Sequence, residues 1–249
     1  MSNEPGRSST SRIFALLQTC RHSAGPVTLT ELARRSGIPV ATAYRLSREL
    51  IAEGALERNA DGTLQIGLGL WELGSAAPRG QDLRRAARPV MLSLADHTHL
   101  VVHLAVAGHQ RAVCVEKITA PRTVTNVAGA GEELPLHATS VGKVILAYSD
   151  DPRVHAVQSG PLRRYTTRTI VAPGRLASEL AGVREAQVAY SRSELTVGTA
   201  SVAAPVFDAE GRFVAALGVL ASGTEWMDRL TPEVRRAAAA ISRRIHVNA

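Results

Sequence analysis

Six residues in one short stretch have side chains suited to reading a nucleic-acid duplex: Val40, Ala41, Thr42, Tyr44, Arg45 and Arg48. Arginine pairs bidentately with guanine and also neutralises phosphate, while threonine and small apolar groups meet base edges and the thymine methyl. They can do this only from one helix that turns them away from whatever buries its other side. Thr28 and Arg34 upstream and Arg58 downstream complete the candidate DNA-binding set, with Thr28 and Arg58 assigned to phosphates.

Other chemistries can be drawn from the sequence and fail on spacing. Gly142-Lys143 has the end of a phosphate-cradling loop, but the earlier glycine that motif requires falls on His137, and Val144 stands where a hydroxyl is needed. Its alternative is a helix N-terminus whose N–H groups cap a loop or face an anion. His97, His99 and His103 straddle a change from helix to strand and lack the frame of a zinc site. They read as polar surface or boundary residues. His137 and Ser140 lack an orienting carboxylate and a nucleophile elbow. No catalytic residue, metal site or cofactor is expected, and the chain is not read as an enzyme.

The elements that must position the duplex-reading face follow from periodicity. Residues 1–10 are rich in Ser, Gly and Pro and are expected to be disordered. Ile13, Phe14, Leu16, Leu17 and Cys20 recur at helical spacing over Ser11–Arg21. Thr28 and Glu31 have capping-box spacing and open a helix to Arg35, which Ser36-Gly37 ends, glycine tolerating the left-handed turn. Pro39 starts a third helix running to about Glu53. Leu32, Ala33, Ile38, Ala43, Leu46 and Leu50 are its shared apolar set. The segments around Leu56 and Leu64 flank Asp61-Gly62, a hairpin turn signal. A helix-turn-helix followed by a hairpin is a winged helix. The assigned bounds are 11–67 for this unit and 68–80 for a linker helix whose Trp71 packs at an interface.

Residues 81–249 read as a second domain, α+β with an antiparallel sheet. An amphipathic helix starts at Asp82. Strands are expected at Leu100–Val106, Ala112–Ile118, more weakly Arg122–Val127, then Thr199–Phe207 and Phe213–Leu220. Helices are expected at Val141–Tyr148, at about Arg175–Ala186, and from Thr231 as N-cap to about Val247.

Composition sets bounds. The 249 residues are 45% hydrophobic and 20% charged, which suits a globular protein, and no apolar run reaches the ~20 residues of a membrane span. Cys20 and Cys114 cannot make a disulfide framework; with no secretory leader visible, a cytoplasmic location is expected. The formal net charge of +7 points toward anionic partners. Its distribution weakens that inference: residues 1–80 hold nine Arg against seven acids, the remainder twenty bases against fifteen.

The combination of segments resembles the IclR family of transcriptional regulators over about residues 10–246. It rests on TLTELARRSGIP at 28–39, ATAYRL at 41–46, GALER at 54–58 and IGLGLWELG at 66–74. It continues with LPLHATSVGK at 134–143, ILA at 145–147, Glu194, Gly198, VAAPVFD at 202–208 and ALGV at 216–219. The resemblance implies a winged helix that binds near-palindromic, double-stranded operator DNA as a homodimer or dimer of dimers, with repression the expected sense. It also implies a GAF-like C-terminal domain for a small acidic or aromatic effector and for oligomerisation. The family's effector positions fall on Ser140, Val141, Ser191, Ser201, Gly218 and Leu220. Here Ser201 stands where many members have Cys, and Gly218 and Leu220 where some have Ser. That change implies a larger or more apolar effector than a small keto acid, or none. The family's glycine near residue 187 is also missing. The alternative is a ligand-binding or protein-interaction module whose winged helix does not read DNA.

Overall fold

The structure, a computed structural model, describes residues 8–108, 110–119, 131 and 133–245. By its internal contacts the chain divides into two compact units, Met1–Pro78 and Arg79–Ala249.

In the N-terminal unit, α1 spans Ser9–Arg21, α2 Leu29–Ser36 and α3 Val40–Ala52. Helix α1 starts inside the segment expected to be disordered, because the Ser8 hydroxyl accepts from the Ser11 N–H and caps it. Residues 1–7 lie outside the described residues. Leu16 and Cys20 face the core, and Ile13 and Leu17 are half-buried. Phe14, placed by spacing with them, is exposed. Burial pushes the Cys20 thiol up, away from reactivity.

The Thr28 Oγ1 accepts from the Glu31 N–H at 3.2 Å and caps α2. The reciprocal half of the capping box is not made; the Glu31 carboxylate turns instead to Arg34. Gly37 sits at φ +69° as the left-handed cap, and Ile38 returns its N–H to Ala33 O at 3.1 Å. Leu32, Ala33, Ile38, Ala43, Leu46 and Leu50 are all buried in one cluster.

The hairpin pairs β1 (Leu56–Arg58) with β2 (Leu64–Ile66), Arg58 opposite Leu64. Its turn is fastened by Asp61, which accepts from the Thr63 N–H and hydroxyl. Val27 bridges to Leu64 on the other edge. Helix α4 covers only Leu68–Ser75, and a separate helix begins at Pro78, so residues 68–80 do not form one linker helix. A proline starts a helix more readily than it continues one. Leu68, Trp71 and Leu73 are exposed on α4. Gly67 offers no side-chain cap, and Glu57 supplies one by accepting the Leu68 N–H at 3.0 Å.

In the C-terminal unit, α5 (Pro78–Thr98) precedes β3 (Val101–Ala107), β4 (Ala112–Thr119) and β5 (Glu133–Leu134). Then come α6 (Ser140–Tyr148), α7 (Pro152–Ser159), α8 (Pro173–Ala186) and β6 (Ala189–Arg192), followed by β7 (Thr199–Phe207), β8 (Phe213–Ser222) and α9 (Met227–Ser242). The six strands form one sheet in the order β5-β4-β3-β8-β7-β6, every neighbouring pair antiparallel. Successive side chains alternate faces. Val102, Leu104, Val202, Leu217 and Val219 pack with α5 and α9 on one side, and Ala105, Ala203 and Ala216 with α6 and α8 on the other.

The candidate strand Arg122–Val127 lies outside the described residues. Elements β5, β6 and α7 carried no readable sequence signal. Helix α9 starts one turn before the expected N-cap: Thr231 lies within it and donates its hydroxyl to Met227 O. Met227 and Leu230, buried in the core, draw that extra turn into the helix.

Candidate functional site

Helix α3 has two faces. Ala43, Leu46, Ser47 and Leu50 are buried, whereas Val40 (52% exposed), Ala41, Tyr44 (46%), Arg45 and Arg48 stand in solvent and Thr42 is half-buried. The Arg48 guanidinium lies over the Tyr44 ring, 6.0 Å from its centroid. Arg45 Nη1 donates to Glu49 Oε1 at 2.6 Å, one turn on. Arg34 closes bidentately on Glu31, and that pairing lowers the Glu31 pKa. Thr28 has spent one lone pair on its helix cap and keeps its O–H to donate. Arg58 is exposed at the end of β1. Arg35, not in the candidate set, folds back to Ser23 Oγ at 2.9 Å. Two candidate arginines thus carry carboxylate partners that a phosphate or base must displace. Exposed pairs of this kind are worth only about 0.3–0.5 kcal/mol, so the exchange is cheap.

The second candidate site is built by strand register. Directly opposed residues share a face, and Ser191, Ser201, Leu220 and Val101 form one row across β6, β7, β8 and β3. The adjacent row contains Ala203, Gly218, His103 and Lys117, the last on β4. Helix α6 packs over this face. Ser140 Oγ donates to Ser201 Oγ at 2.8 Å, with both residues buried. Gly218 lies against Val141. Ser140, Val141, Ser201 and Gly218 therefore meet at the first turn of α6, and Leu220 stands beside Ser201 in the same row. Ser191 is buried in the same row, and its hydroxyl donates to Ala138 O at 3.0 Å, tying β6 to the segment before that turn.

Thr139 caps α6 by accepting the Gly142 N–H at 3.1 Å, which leaves the Ser140 and Val141 N–H groups as the open donors of its first turn. Lys143 follows but does not point toward them. Its Nζ is fully buried and donates to Glu194 Oε1 (2.7 Å), Tyr190 O (2.8 Å) and Glu179 Oε1 (3.0 Å). The Gly-Lys pair is structural. The His137 ring contacts Arg163 O at 2.9 Å, so His137 and Ser140 are separately engaged and form no nucleophile–base pair.

Three buried polar features escaped the sequence reading: Lys143 with its carboxylates, Glu116 paired with Arg84 and Arg88, and His103. His103 was grouped with His97 and His99 as surface or boundary. It sits instead on the central strand β3, buried, while His97 and His99 are exposed. Among the described residues no group of three His, Cys, Asp or Glu is placed to hold a metal ion.

Burial holds the His103 imidazole down to about 4, and the Lys117 charge opposite adds to the effect. The folded-state value lies below the unfolded one, so the unfolded chain takes up this proton first. The contribution is complete above about pH 6.5 and is lost as pH falls from there toward 4. His103→Gln is expected to flatten the acid limb of a Tm-against-pH profile; an unchanged slope would remove His103 as its cause.

Residues 9–60 match the family model described as IclR helix-turn-helix domain, and residues 76–245 match that described as bacterial transcriptional regulator IclR C-terminal. The HTH-type transcriptional regulator KipR of Bacillus subtilis is 30% identical over 237 residues, 93% of this chain and 94% of KipR. The transcriptional repressor IclR of Escherichia coli is 27% identical over 215 residues, 85% of this chain and 78% of the repressor. A crystal structure of an IclR homolog from Microbacterium hydrocarbonoxydans, complexed with 4-hydroxybenzoate, superposes with a TM-score of 0.85 at 28% identity, covering 95% of this chain and 98% of the homolog. The chain belongs to the IclR family of transcriptional regulators, its helix-turn-helix unit followed by the family's C-terminal domain.

Proposed function

We propose that this regulator acts as a homodimer or dimer of dimers on a near-palindromic operator, with α3 in the major groove. The observation that carries the reading is the exposed face of α3, where Arg45, Arg48 and Tyr44 stand off a fully buried Leu46 seam. Arg45 and Arg48 read bases, and Thr28, Arg34 and Arg58 hold phosphates. The protein is regulatory rather than catalytic and acts in the cytoplasm; no helix among the described residues is long and apolar enough to cross a membrane.

Its operator affinity responds to a small carboxylic acid bound beside the first turn of α6. The carboxylate faces the Ser140 and Val141 N–H groups, where open donors and the helix dipole favour an anion. Val141, Val101 and Leu220 supply an apolar wall for its body. The 4-hydroxybenzoate held by the Microbacterium homolog supports an effector of this class.

Footprinting the promoter beside the coding gene, with and without candidate acids, tests both halves. A single protected near-palindrome, released by an acid, is expected. Salt gives a second test: Arg58→Ala is expected to lower the slope of log K against log salt by about 1 and to weaken all sequences alike. A selective loss at one base pair would reassign Arg58 to base reading.

A further inference from the structure

Gly218 on β8 marks the point where β3, β8 and α6 meet. A Cβ there would lie 2.7 Å from Val141 Cγ1 and 3.0 Å from His103 Nε2. The space that a side chain on β8 would fill is therefore occupied by an imidazole reaching across from β3. The same ring is 5% exposed, and its Nδ1 has no hydrogen-bond partner among the described residues. Buried polar atoms are almost always bonded, so the orphan Nδ1 is a place for a bound water or for a polar group of a ligand. Next to it in the sheet stand the Leu220–Ser201 pair and, from α6, the Ser140 hydroxyl.

We infer that His103 is an effector-contacting residue, replacing from β3 the hydroxyl that β8 lacks at Gly218, and that it selects acids carrying a second oxygen. This inference rests on the effector site proposed at the first turn of α6. The effector then has a carboxylate at the helix N–H groups and a hydroxyl or oxo group at the His103 imidazole, whose Nε2 edge faces Gly218, with an apolar body between them against Val141 and Leu220. Burial keeps the ring neutral at physiological pH, which suits an uncharged oxygen function: the ring accepts from a hydroxyl in one tautomer and donates to an oxo group in the other. With glycine at 218, the polar contact comes from the neighbouring strand, and the site discriminates oxygenated acids through His103.

Calorimetric titration of the full-length protein with matched acids tests this: 4-hydroxybenzoate against benzoate, and pyruvate against propionate. The wild type is expected to prefer the oxygenated member of at least one pair by about tenfold, the worth of one hydrogen bond. His103→Leu should abolish that preference, and His103→Gln should restore part of it. His103→Ala with Gly218→Ser, which returns a hydroxyl to β8, should also restore part. If His103→Leu does not fold, the imidazole 15N resonances of the wild type decide, since only the oxygenated acid should move Nδ1. A preference that survives in His103→Leu, or Nδ1 resonances indifferent to the second oxygen, would overturn the role of His103 and leave the carboxylate site standing. Failure of all four acids to bind the wild type at millimolar concentration would overturn the proposed effector class and this inference with it.

Discussion

Replacing Lys143 by methionine is expected to destabilise the C-terminal unit by about 3–5 kcal/mol, the usual cost of removing one partner from a buried ion pair. The methionine fills the same volume, so the loss is electrostatic. Lys143 Nζ is fully buried and ties together Glu194 from the segment after β6, Glu179 from α8 and the Tyr190 carbonyl from β6. Glu194 is itself buried and its Oε2 already lacks a partner, so without the ammonium a whole carboxylate is stranded. That segment is fixed from another side by Thr166 and Thr169, whose hydroxyls donate to Ser193 O and Glu194 O. Urea denaturation of the full chain, followed by a signal from the C-terminal unit, measures the effect. Adding Glu194→Gln to Lys143→Met should recover a substantial part, because no unpaired charge then remains. A loss below about 1 kcal/mol would mean that water enters and solvates Glu194, contradicting the closed packing described here.

The second large effect is on DNA. Arg45→Ala combined with Arg48→Ala is expected to reduce specific operator affinity by about 2–6 kcal/mol, each arginine contributing roughly 1–3 if the two contacts are independent. Both side chains are exposed, and neither belongs to the core cluster around Leu46. Thermal stability should therefore hardly change, which separates lost contact from lost fold. Fluorescence anisotropy on the footprinted site, repeated on a scrambled duplex, gives the readout. A fall of equal size on both duplexes would make these arginines phosphate contacts. Unchanged affinity on the operator would reject the assigned face of α3.

Much of the N-terminal unit was legible because its signals are local. The capping threonine, the left-handed Gly37, the Asp61-Gly62 turn and a helical apolar period each act within a few residues, and all reappear in the structure. What local pattern could not settle was how far an apolar stripe reaches. Phe14 has the right type and spacing to be buried and is exposed, since Leu16 and Cys20 already occupy the contact with α2 and α3.

The C-terminal unit was legible where strands are long. The nine-residue β7 and ten-residue β8 announce themselves by apolar composition, whereas β6 has four residues and follows Gln187, which adopts φ +54° at a position where glycine would have marked the boundary. The candidate effector residues came from resemblance, not from pattern. Their convergence depends on pairing His103 with Gly218 and Ser201 with Leu220, and the first of these registers spans more than a hundred residues of sequence. Nothing local to His103 distinguishes it from His97 or His99; only its place on a central strand buries it. Lys143 escaped for a related reason: spacing already excluded a phosphate loop at Gly142-Lys143, but nothing local shows that the ammonium is buried between two carboxylates from distant segments.

The alternation of side chains along β7 and β8 has a mechanical consequence. Gly218 faces α6, while Leu217 and Val219, its covalent neighbours, are fully buried against the opposite layer of α5 and α9. Interiors packed to crystal density compress very little. A push that moves Gly218 away from Val141 by the width of a methyl group must carry both neighbours with it and press on the helical layer behind the sheet, where α9 lies against β8. The sheet is in this sense a stiff diaphragm, with α6 on one side and the rod of α5, beside α9, on the other. That rod is 21 residues long, and its first residue, Pro78, follows α4 after only Ala76 and Ala77. A push from the α6 side of the sheet is thereby passed to the helices that cover its other side.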